Sequence, residues 1–346
     1  MVNNLKLIKI IILLIILFPL NIYAFYDTAK STVVVDMNSG RVLYQKNPNE
    51  KRLIASTTKI MTAIITLENI DINKKVTVGE EVLKMYGTNI YVEVGEKIKI
   101  KDLLYGLLLR SGNDAAVVLA NNVSRSEKEF INLMNEKAKK LKMTKTHFEN
   151  PHGLDEETKN VSTASDMAKL SKYAYQNKIF RQIVKTKKYE TNTKNKTYFW
   201  YNRNKLLIMY KYATGGKNGY TPAAGKTLVT TANKENFPVT VVTLKDNNPY
   251  ENHKNIYEYI YNKYKNYTIV DKNNFNINKE FYKEKVYIKR SVTYPLKDNE
   301  IDKIKTKIIL PNNKINNNIV GHINIYLDNK LVKRENIYKK KKNKSS

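Results

Sequence analysis

Residues 54–62 read Ile54-Ala55-Ser56-Thr57-Thr58-Lys59-Ile60-Met61-Thr62, and this stretch decides how the rest of the chain is interpreted. Apolar side chains recur at helical spacing as far as Leu67, with no Pro or Gly between them, which predicts a helix over residues 56–70. Positions i and i+3 share one face of a helix, so Lys59 is expected beside Ser56. A lysine there can take the proton of the serine hydroxyl, which makes Ser56 a candidate nucleophile.

Two further polar motifs follow along the chain. Ser111-Gly112-Asn113 lies between the apolar runs 103–109 and 115–119, so it is predicted to form a loop buried between two helices. Lys217-Asn218-Gly219 precedes the strand-like residues 227–231, which places Lys217 at the edge of a sheet. Taken alone, the three motifs could be a helix cap, an ordinary loop and an Asn-Gly turn. Their order is the one that serine enzymes of the penicillin-binding type use.

With these motifs the chain resembles the D-alanyl-D-alanine carboxypeptidases, the low-molecular-mass penicillin-binding proteins of the serine DD-peptidase family. Four stretches carry the resemblance: residues 54–62, 108–115, 150–154 and 215–221. Together they are far more specific than the short motifs, and the resemblance extends over most of the chain. One departure stands out, because Asn218 occupies the position where the family usually has the threonine of Lys-Thr-Gly.

The resemblance implies a reaction on Ser56, in which the serine is acylated by a peptide that ends in D-Ala-D-Ala and is then freed by water. Lys59 would act as the base, and burial together with the positive charge of Lys217 would lower its pKa into a working range. Ser111 would relay the proton toward the leaving D-alanine. Asn113 would bind the substrate amide.

The third motif is expected to bind the substrate carboxylate. By resemblance, Lys217 and Asn218 face the terminal carboxylate, and Gly219 and Tyr220 are further substrate-binding residues. The backbone amides of Ser56 and Tyr220 would form the oxyanion hole, which stabilises the charge that develops during acyl transfer. β-Lactam antibiotics would be covalent inhibitors of such a site.

Other functions stay open at this stage. A DD-transpeptidase or endopeptidase would use the same residues, and Asn218 also raises the possibility of a weakened penicillin-sensing protein that binds the wall. A β-lactamase is disfavoured because the Glu-x-x-Leu-Asn motif of the common class is absent. A Ser-His-Asp triad is the poorer hypothesis, since His152 is expected to hold its loop by hydrogen bonds. Asp114 is interpreted as a helix cap.

The predicted fold is α/β, a DD-peptidase/β-lactamase-like domain with an antiparallel sheet flanked by helices, followed by a small all-β C-terminal domain. Hairpins are predicted around residues 38–40 and between residues 227 and 244, and the two ends of the first domain are expected to meet in its sheet. After Tyr267 the residues alternate with period two. The predicted divisions are a signal peptide (1–24), a catalytic domain (25–267), a β-rich domain (268–338) and a basic tail (339–346).

The N-terminus and the charge indicate the compartment. Lys6 and Lys9 precede the apolar run 10–20, and Ala24 is the expected cleavage position, which predicts an exported protein; an uncleaved anchor is the alternative. The net charge is +29, from 61 basic and 32 acidic residues. Because export disfavours nucleic acid, the expected partners are peptidoglycan stem peptides and, weakly, anionic wall polymers or the membrane surface.

No metal or cofactor is expected. Cysteine is absent, so the chain has no thiol nucleophile, disulfide or cysteine metal ligand. The four histidines, at positions 147, 152, 253 and 322, do not have the spacing of a metal site.

Overall fold

The computed structural model describes residues 25–277, 285–310 and 318–339. The strands are β1 (Ala29–Asp36), β2 (Val42–Lys46), β3 (Arg52–Leu53), β4 (Lys75–Thr77), β5 (Lys97–Lys99), β6 (Val161–Ser162), β7 (Lys188–Asn192), β8 (Thr197–Tyr201), β9 (Ala213–Thr221), β10 (Gly225–Lys234), β11 (Phe237–Asp246), β12 (Lys265–Val270), β13 (Val286–Tyr287), β14 (Val292–Leu296), β15 (Ile304–Ile309), β16 (Ile319–Leu327) and β17 (Lys330–Lys339). The α-helices are α1 (Lys59–Asn69), α2 (Ile100–Tyr105), α3 (Asn113–Val123), α4 (Glu127–Lys140), α5 (Ala164–Ala174), α6 (Lys178–Lys185), α7 (Leu206–Met209) and α8 (Pro249–Lys263).

An antiparallel sheet in the order β2-β1-β11-β10-β9 forms the centre of the first domain. Val33 pairs with Val242, so the first strand and the last strand of this domain lie side by side, which confirms that its two ends meet in the sheet. Side chains of a strand alternate between the two faces. Val33 therefore packs into the core that contains α1, α3 and α5, whereas its neighbour Val34 packs with Ile256 and Tyr257 of α8.

The nucleophile segment is a short 3-10 helix, Ala55–Thr58, that runs into α1. The predicted single helix from residue 56 is thus two segments, and the reason lies in the backbone. Ala55 has a φ of 45°, which is outside the α region, and Thr57 closes the tight turn by bonding Ile54 O through both its amide (3.2 Å) and its hydroxyl (2.6 Å). In a 3-10 helix the side chains at i and i+3 eclipse each other, so this turn aligns Ser56 with Lys59.

The hairpin β7–β8 was not predicted from the sequence. It covers α2, where Tyr189 stacks on Tyr105 with ring centroids 3.5 Å apart and donates a hydrogen bond to Asp102. Tyr198 donates to the buried carboxylate of Glu96. Most side chains of β7 are polar or exposed, so the alternation that would reveal a strand is weak.

The C-terminal domain is all-β, as predicted. It contains the sheet β13-β17-β16-β15 and the pair β12–β14, and its core includes Val292, Ile323, Ile325 and Ile337. The predicted boundary between residues 267 and 268 falls inside β12. The predicted signal peptide and residues 340–346 of the predicted tail lie outside the described residues. Within the described ranges, no helix combines the length and the apolar character needed to span a bilayer.

Arg41 joins the two domains. Its guanidinium donates to Pro295 O and forms an ion pair with Glu300, each at 2.6 Å, and it lies over the rings of Tyr264 and Tyr294. Because the Arg41 and Glu300 side chains are both 13% exposed, this ion pair is largely shielded from solvent.

Candidate active site

Ser56 and Lys59 are in direct contact. The Lys59 Nζ lies 2.9 Å from the Ser56 Oγ, 2.7 Å from Asn113 Oδ1 and 2.6 Å from the carbonyl oxygen of His152. Lys59 is fully buried, whereas Ser56 is partly exposed and can be reached by a substrate. A neutral lysine has two N–H groups, and the Asn113 and His152 oxygens accept both. The lone pair of the amine then faces the serine hydroxyl.

The pKa of Lys59 is lowered well below its ordinary value, chiefly because burial removes water from the ammonium and then because Lys217 is nearby. The carboxylate of Asp114 opposes this effect in part. A lysine in such surroundings is held as the free amine, the form that accepts a proton. The positive charge of Lys217 thus helps to keep Lys59 in its neutral form, which explains why the two lysines lie close together.

Two glycines, Gly153 and Gly219, pack closely against the backbone of the nucleophile segment. A Cβ on Gly219 would lie 2.8 Å from Ser56 N, and a Cβ on Gly153, whose φ is +88°, would lie 2.1 Å from Ala55 O. Thr227 of β10 adds a 3.1 Å hydrogen bond to Ile54 O. Ser56 lies in the first turn of its helix, where backbone amides lack partners within the helix. Its amide is thus suited to an oxyanion hole.

Ser111 follows the helical residues 100–110, of which α2 is the first part, and it adopts a left-handed conformation with a φ of 69°. Its side chain is 5% exposed, and its hydroxyl has no hydrogen-bond partner within the described part of the chain. Asn113 begins α3, and its amide nitrogen donates to Tyr86 O at 2.7 Å. One more amide hydrogen of Asn113 stays available to a substrate.

The N-cap residue of α3 is Gly112, so Asp114 is not the helix cap that the sequence suggested. It lies in the first turn of that helix, and its carboxylate accepts backbone amides from Ile90 at 3.0 Å and Tyr91 at 2.6 Å. It therefore fixes the loop that borders Asn113. Burial raises the pKa of Asp114, although these hydrogen bonds oppose the rise.

Lys217 lies within the edge strand β9, not in a turn, and is 1% exposed. Burial, followed by the positive charge of Arg203, lowers its pKa to about 7. Its Nζ donates to Asn218 O at 2.6 Å. The Asn218 side chain is half-buried and makes no hydrogen bond to any described residue, and Tyr220 is 64% exposed. These groups line one strand beside the nucleophile.

His152 holds its loop, in agreement with the sequence interpretation. Its Nδ1 accepts the amide of Leu154 at 3.1 Å, and burial lowers its pKa to about 3, so the ring is neutral. Asn150 Oδ1 accepts the amides of His152 and Gly153, and Asn160 bonds Asn150 in turn. The functional atom of His152 is its carbonyl oxygen, which binds Lys59.

The structure thus brings Ser56, Lys59 and Asn113 into hydrogen-bond contact and places Gly219 against Ser56. Sequence reasoning missed Gly153 and Arg203. The signal for Gly153 was present in the stretch 150–154, whereas Arg203 stands in no motif and is recognised only by its effect on Lys217. Among the described residues, no group of three or more side chains could hold a metal ion.

Comparison with known proteins identifies the family. Residues 25–248 match the family described as D-alanyl-D-alanine carboxypeptidase, and residues 264–345 match the C-terminal domain of penicillin-binding protein 5. The chain belongs to the D-alanyl-D-alanine carboxypeptidase family. This family is the one that the chain was expected to resemble from its three motifs, and the two matches agree with the predicted folds of both domains.

Individual members of this carboxypeptidase family show how far the likeness extends. The D-alanyl-D-alanine carboxypeptidase DacF of Bacillus subtilis is 38% identical over 229 residues, which cover 64% of this chain and 59% of DacF, somewhat less than two thirds of the relative. A mutant of the Streptomyces K15 DD-transpeptidase superposes with a TM-score of 0.66 at 32% identity, covering 68% of this chain and 99% of that structure. Penicillin-binding protein 5 of Haemophilus influenzae shares the fold over 91% of this chain and 97% of its own, with a TM-score of 0.74 at 23% identity.

Proposed function

We propose that this protein is a serine D-Ala-D-Ala carboxypeptidase that removes the terminal D-alanine from peptidoglycan stem pentapeptides. The observation that carries the proposal is the contact between a reachable serine and a fully buried lysine, Ser56 Oγ to Lys59 Nζ at 2.9 Å. The family match supports the substrate class. Penicillin and related β-lactams, which carry a strained amide and a carboxylate, would acylate the same serine.

In the first half of the reaction, the carboxylate of the terminal D-alanine binds at Lys217 and Asn218. The Ser56 oxygen attacks the carbonyl carbon of the penultimate D-alanine as Lys59 accepts its proton, and the amides of Ser56 and Tyr220 bind the oxyanion. The carbon–nitrogen bond then breaks. The proton passes from Lys59 through Ser111 to the leaving nitrogen, and free D-alanine departs.

The second half restores the enzyme. Lys59, again neutral, takes a proton from a water molecule, whose oxygen attacks the ester carbon of the acyl-enzyme. The carbon–oxygen bond to Ser56 breaks, and the Ser56 oxygen regains a proton from Lys59. The products are the shortened stem peptide and the starting serine. Neutral Lys59 is required at the start of both halves, which explains its deep burial.

A transpeptidase or endopeptidase is the second candidate, because a relative of similar fold is called a DD-transpeptidase and a 35% identical relative from Escherichia coli is called a D-alanyl-D-alanine endopeptidase. An amine in place of water would give the transpeptidase reaction with the same residues. Adding glycine or a D-amino acid to the pentapeptide assay distinguishes the two, since a carboxypeptidase yields mainly the hydrolysed product. In a penicillin-sensing protein, Ser56 would be acylated by penicillin, but the protein would not release D-alanine from the pentapeptide.

Labelling by fluorescent penicillin, followed by release of D-alanine from a D-Ala-D-Ala pentapeptide, tests the proposal. Ser56→Ala should abolish both, while its thermal melting stays close to that of the wild type because the change opens almost no cavity. Lys59→Arg should be nearly inactive, since a guanidinium stays protonated at any usable pH. Labelling that survives in Ser56→Ala, or an active arginine variant, would overturn the assignment of nucleophile or base.

We further propose that the chain is exported and acts at the cell wall or the outer face of the cytoplasmic membrane, with weak contacts to anionic wall material. The support is the sequence of residues 1–24 and the substrate class of the family. Intact-mass measurement on protein from its native host tests the export signal. A mature chain that begins at Phe25 is expected, and one that retains Met1 or Val2 would favour the anchored form.

A further inference from the structure

A cleft of about 1020 Å³ lies between the catalytic domain and the C-terminal domain, lined by residues other than those of the serine site. Five cations line it: Lys172 of α5, Lys178, Arg181 and Lys185 of α6, and Arg290 of the C-terminal domain. No Asp or Glu is among its lining residues, all of which are described. A concave surface of one charge sign concentrates ligands of the opposite sign.

Most of these cations are not neutralised by the protein. Arg290 is paired with Glu335 at 3.5 Å, but within the described residues Lys178, Arg181 and Lys185 make no ion pair. Arg181 instead donates through Nη1 to the carbonyl oxygens of Tyr175 and Gln176, which fixes its guanidinium at the end of α5. The cleft therefore keeps several charges available for a ligand.

Lys172 is the most informative of the five. It is half-buried, and a Cβ on Gly40 would lie 2.7 Å from its Nζ, so the ammonium lies against the β1–β2 turn. The nearby Asp36 carboxylate is already engaged by the amides of Asn38 and Ser39. The ammonium itself has no hydrogen-bond acceptor in the described part of the chain. A partly desolvated cation without an acceptor is stabilised when an anion binds.

The spacing and the other lining groups indicate what kind of anion fits. Lys178, Arg181 and Lys185 follow each other at three and four residues, so they lie on one face of α6 over about 10 Å. A row of this length suits repeated anionic groups better than one small ion. Between the cations lie uncharged polar groups that suit hydroxyls, among them the side chains of Asn38 and Thr214.

We propose that this interdomain cleft binds a linear polymer of polyol units joined by phosphodiesters, with its phosphates along α6 and at Lys172. The concave shape favours a polymer strand over a membrane surface, because membrane binding needs apolar groups that protrude and insert into lipid. The proposal goes beyond the reaction at Ser56 and does not depend on it.

The experiment uses the full chain and a fluorescent hexamer of glycerol phosphate, with binding followed by anisotropy at low and moderate salt. The variant Lys178→Gln/Arg181→Gln/Lys185→Gln should bind at least about tenfold more weakly and show a smaller salt dependence. The control is Lys75→Gln/Lys97→Gln/Lys99→Gln, which removes three exposed lysines from another cavity, of about 680 Å³, and should change affinity less than about twofold. An equal loss in both variants, or no binding by the wild type, overturns the proposal.

Two further arms identify the source of the phosphate. Inorganic phosphate at the same phosphate concentration should compete poorly, and phosphatidylglycerol vesicles should bind the wild type and the α6 variant alike. Competition equal to that of the hexamer, or vesicle binding that is tight and lost in the α6 variant, overturns the polymer assignment.

Penicillin labelling of Ser56, measured on every sample, should not change and reports that the catalytic domain is folded. If the triple variant is unstable because Arg181 no longer holds α5, Lys178→Gln/Lys185→Gln decides the question with an expected loss of at least about threefold.

Discussion

At Lys217, burial and charge decide the pH range of substrate binding. The pKa of its ammonium is lowered to about 7, so the free protein loses this positive charge as the pH rises through neutrality. An anionic substrate favours the protonated lysine and raises its pKa in the complex. We therefore expect kcat/KM to fall above about pH 7, while kcat falls only at higher pH, because the two constants report free and substrate-bound enzyme.

The variant Lys217→Arg checks this assignment, because arginine keeps its charge over the whole range. Its activity should be lower overall, but the decline of kcat/KM above about pH 7 should disappear. A decline that stays in place in the arginine variant would assign it to another group.

Asn218 is the residue at which this chain departs from its family. Its side chain is half-buried and free of hydrogen bonds to described residues, so its amide can meet the substrate carboxylate in place of a threonine hydroxyl. Changing one hydrogen bond to a charged group costs roughly 1.5–3 kcal/mol at most, about one to two powers of ten in rate. Asn218→Thr should thus preserve or raise kcat/KM on D-Ala-D-Ala peptides. A variant without activity would show that Asn218 has a role of its own.

At the scale of elements, the loop 150–160 positions the nucleophile through backbone contact. Gly153→Ala would combine a positive φ of +88° with a Cβ 2.1 Å from Ala55 O, so the 3-10 segment must shift. A displacement of about 1 Å can lower the rate about a hundredfold, and we expect such a loss in the rate of penicillin labelling. The labelling rate and the thermal melt are measured together.

Gly95→Ala is the matched control for this variant, because Gly95 has a φ of +83° and nothing within 4 Å of the added Cβ. Both variants should lose about 1 kcal/mol of stability from the backbone strain, and Gly153→Ala should lose more because its Cβ overlaps Ala55 O; only Gly153→Ala should lose labelling. Similar labelling rates in the two would mean that the loop does not hold the nucleophile.

Helices and strands whose apolar residues recur at a regular spacing were predictable from the sequence, whereas contacts between residues distant in the sequence were not. The hairpins β1–β2 and β10–β11 and the helices α1 and α5 followed from apolar spacing, and Lys217 was correctly expected at a sheet edge. The hairpin β7–β8 was missed because β7 is mostly polar and because β8 carries the exposed aromatic residues Phe199 and Tyr201, so neither strand shows a clear alternation of polar and apolar residues. The atom that accepts the Lys59 hydrogen bond at His152 is a backbone oxygen, and Arg203 influences Lys217 through its charge, so neither leaves a pattern in the sequence.

At the scale of the whole molecule, Arg41 holds the domains together. Arg41→Ala removes a shielded ion pair and two ring contacts, and the loss leaves Glu300 without its arginine. We expect a destabilisation of roughly 3 kcal/mol at the interface, seen as a lower melting temperature of the C-terminal domain and faster proteolysis near residue 264. Penicillin labelling should be unchanged.

Arg125→Ala serves as the control, because Arg125 is exposed and its side chain makes no hydrogen bond or ion pair with the described residues of the C-terminal domain. It should melt and cleave like the wild type. If Arg41→Ala also behaves like the wild type, the ion pair does not limit the motion of the domains.

The pairing of β1 with β11 also sets the order in which the protein can fold. Val33 pairs with Val242, so about two hundred further residues must be synthesised before β1, which pairs with β2 on one side, gains its second neighbour. Contacts between residues so distant in sequence are slow to form, because the entropy of closing a long loop must be overcome first. Gly219 and Thr227, which support Ser56, belong to the same late strands. The nucleophile is therefore assembled only near the end of synthesis of its domain, and a nascent chain that still lacks β9–β11 carries an inert serine.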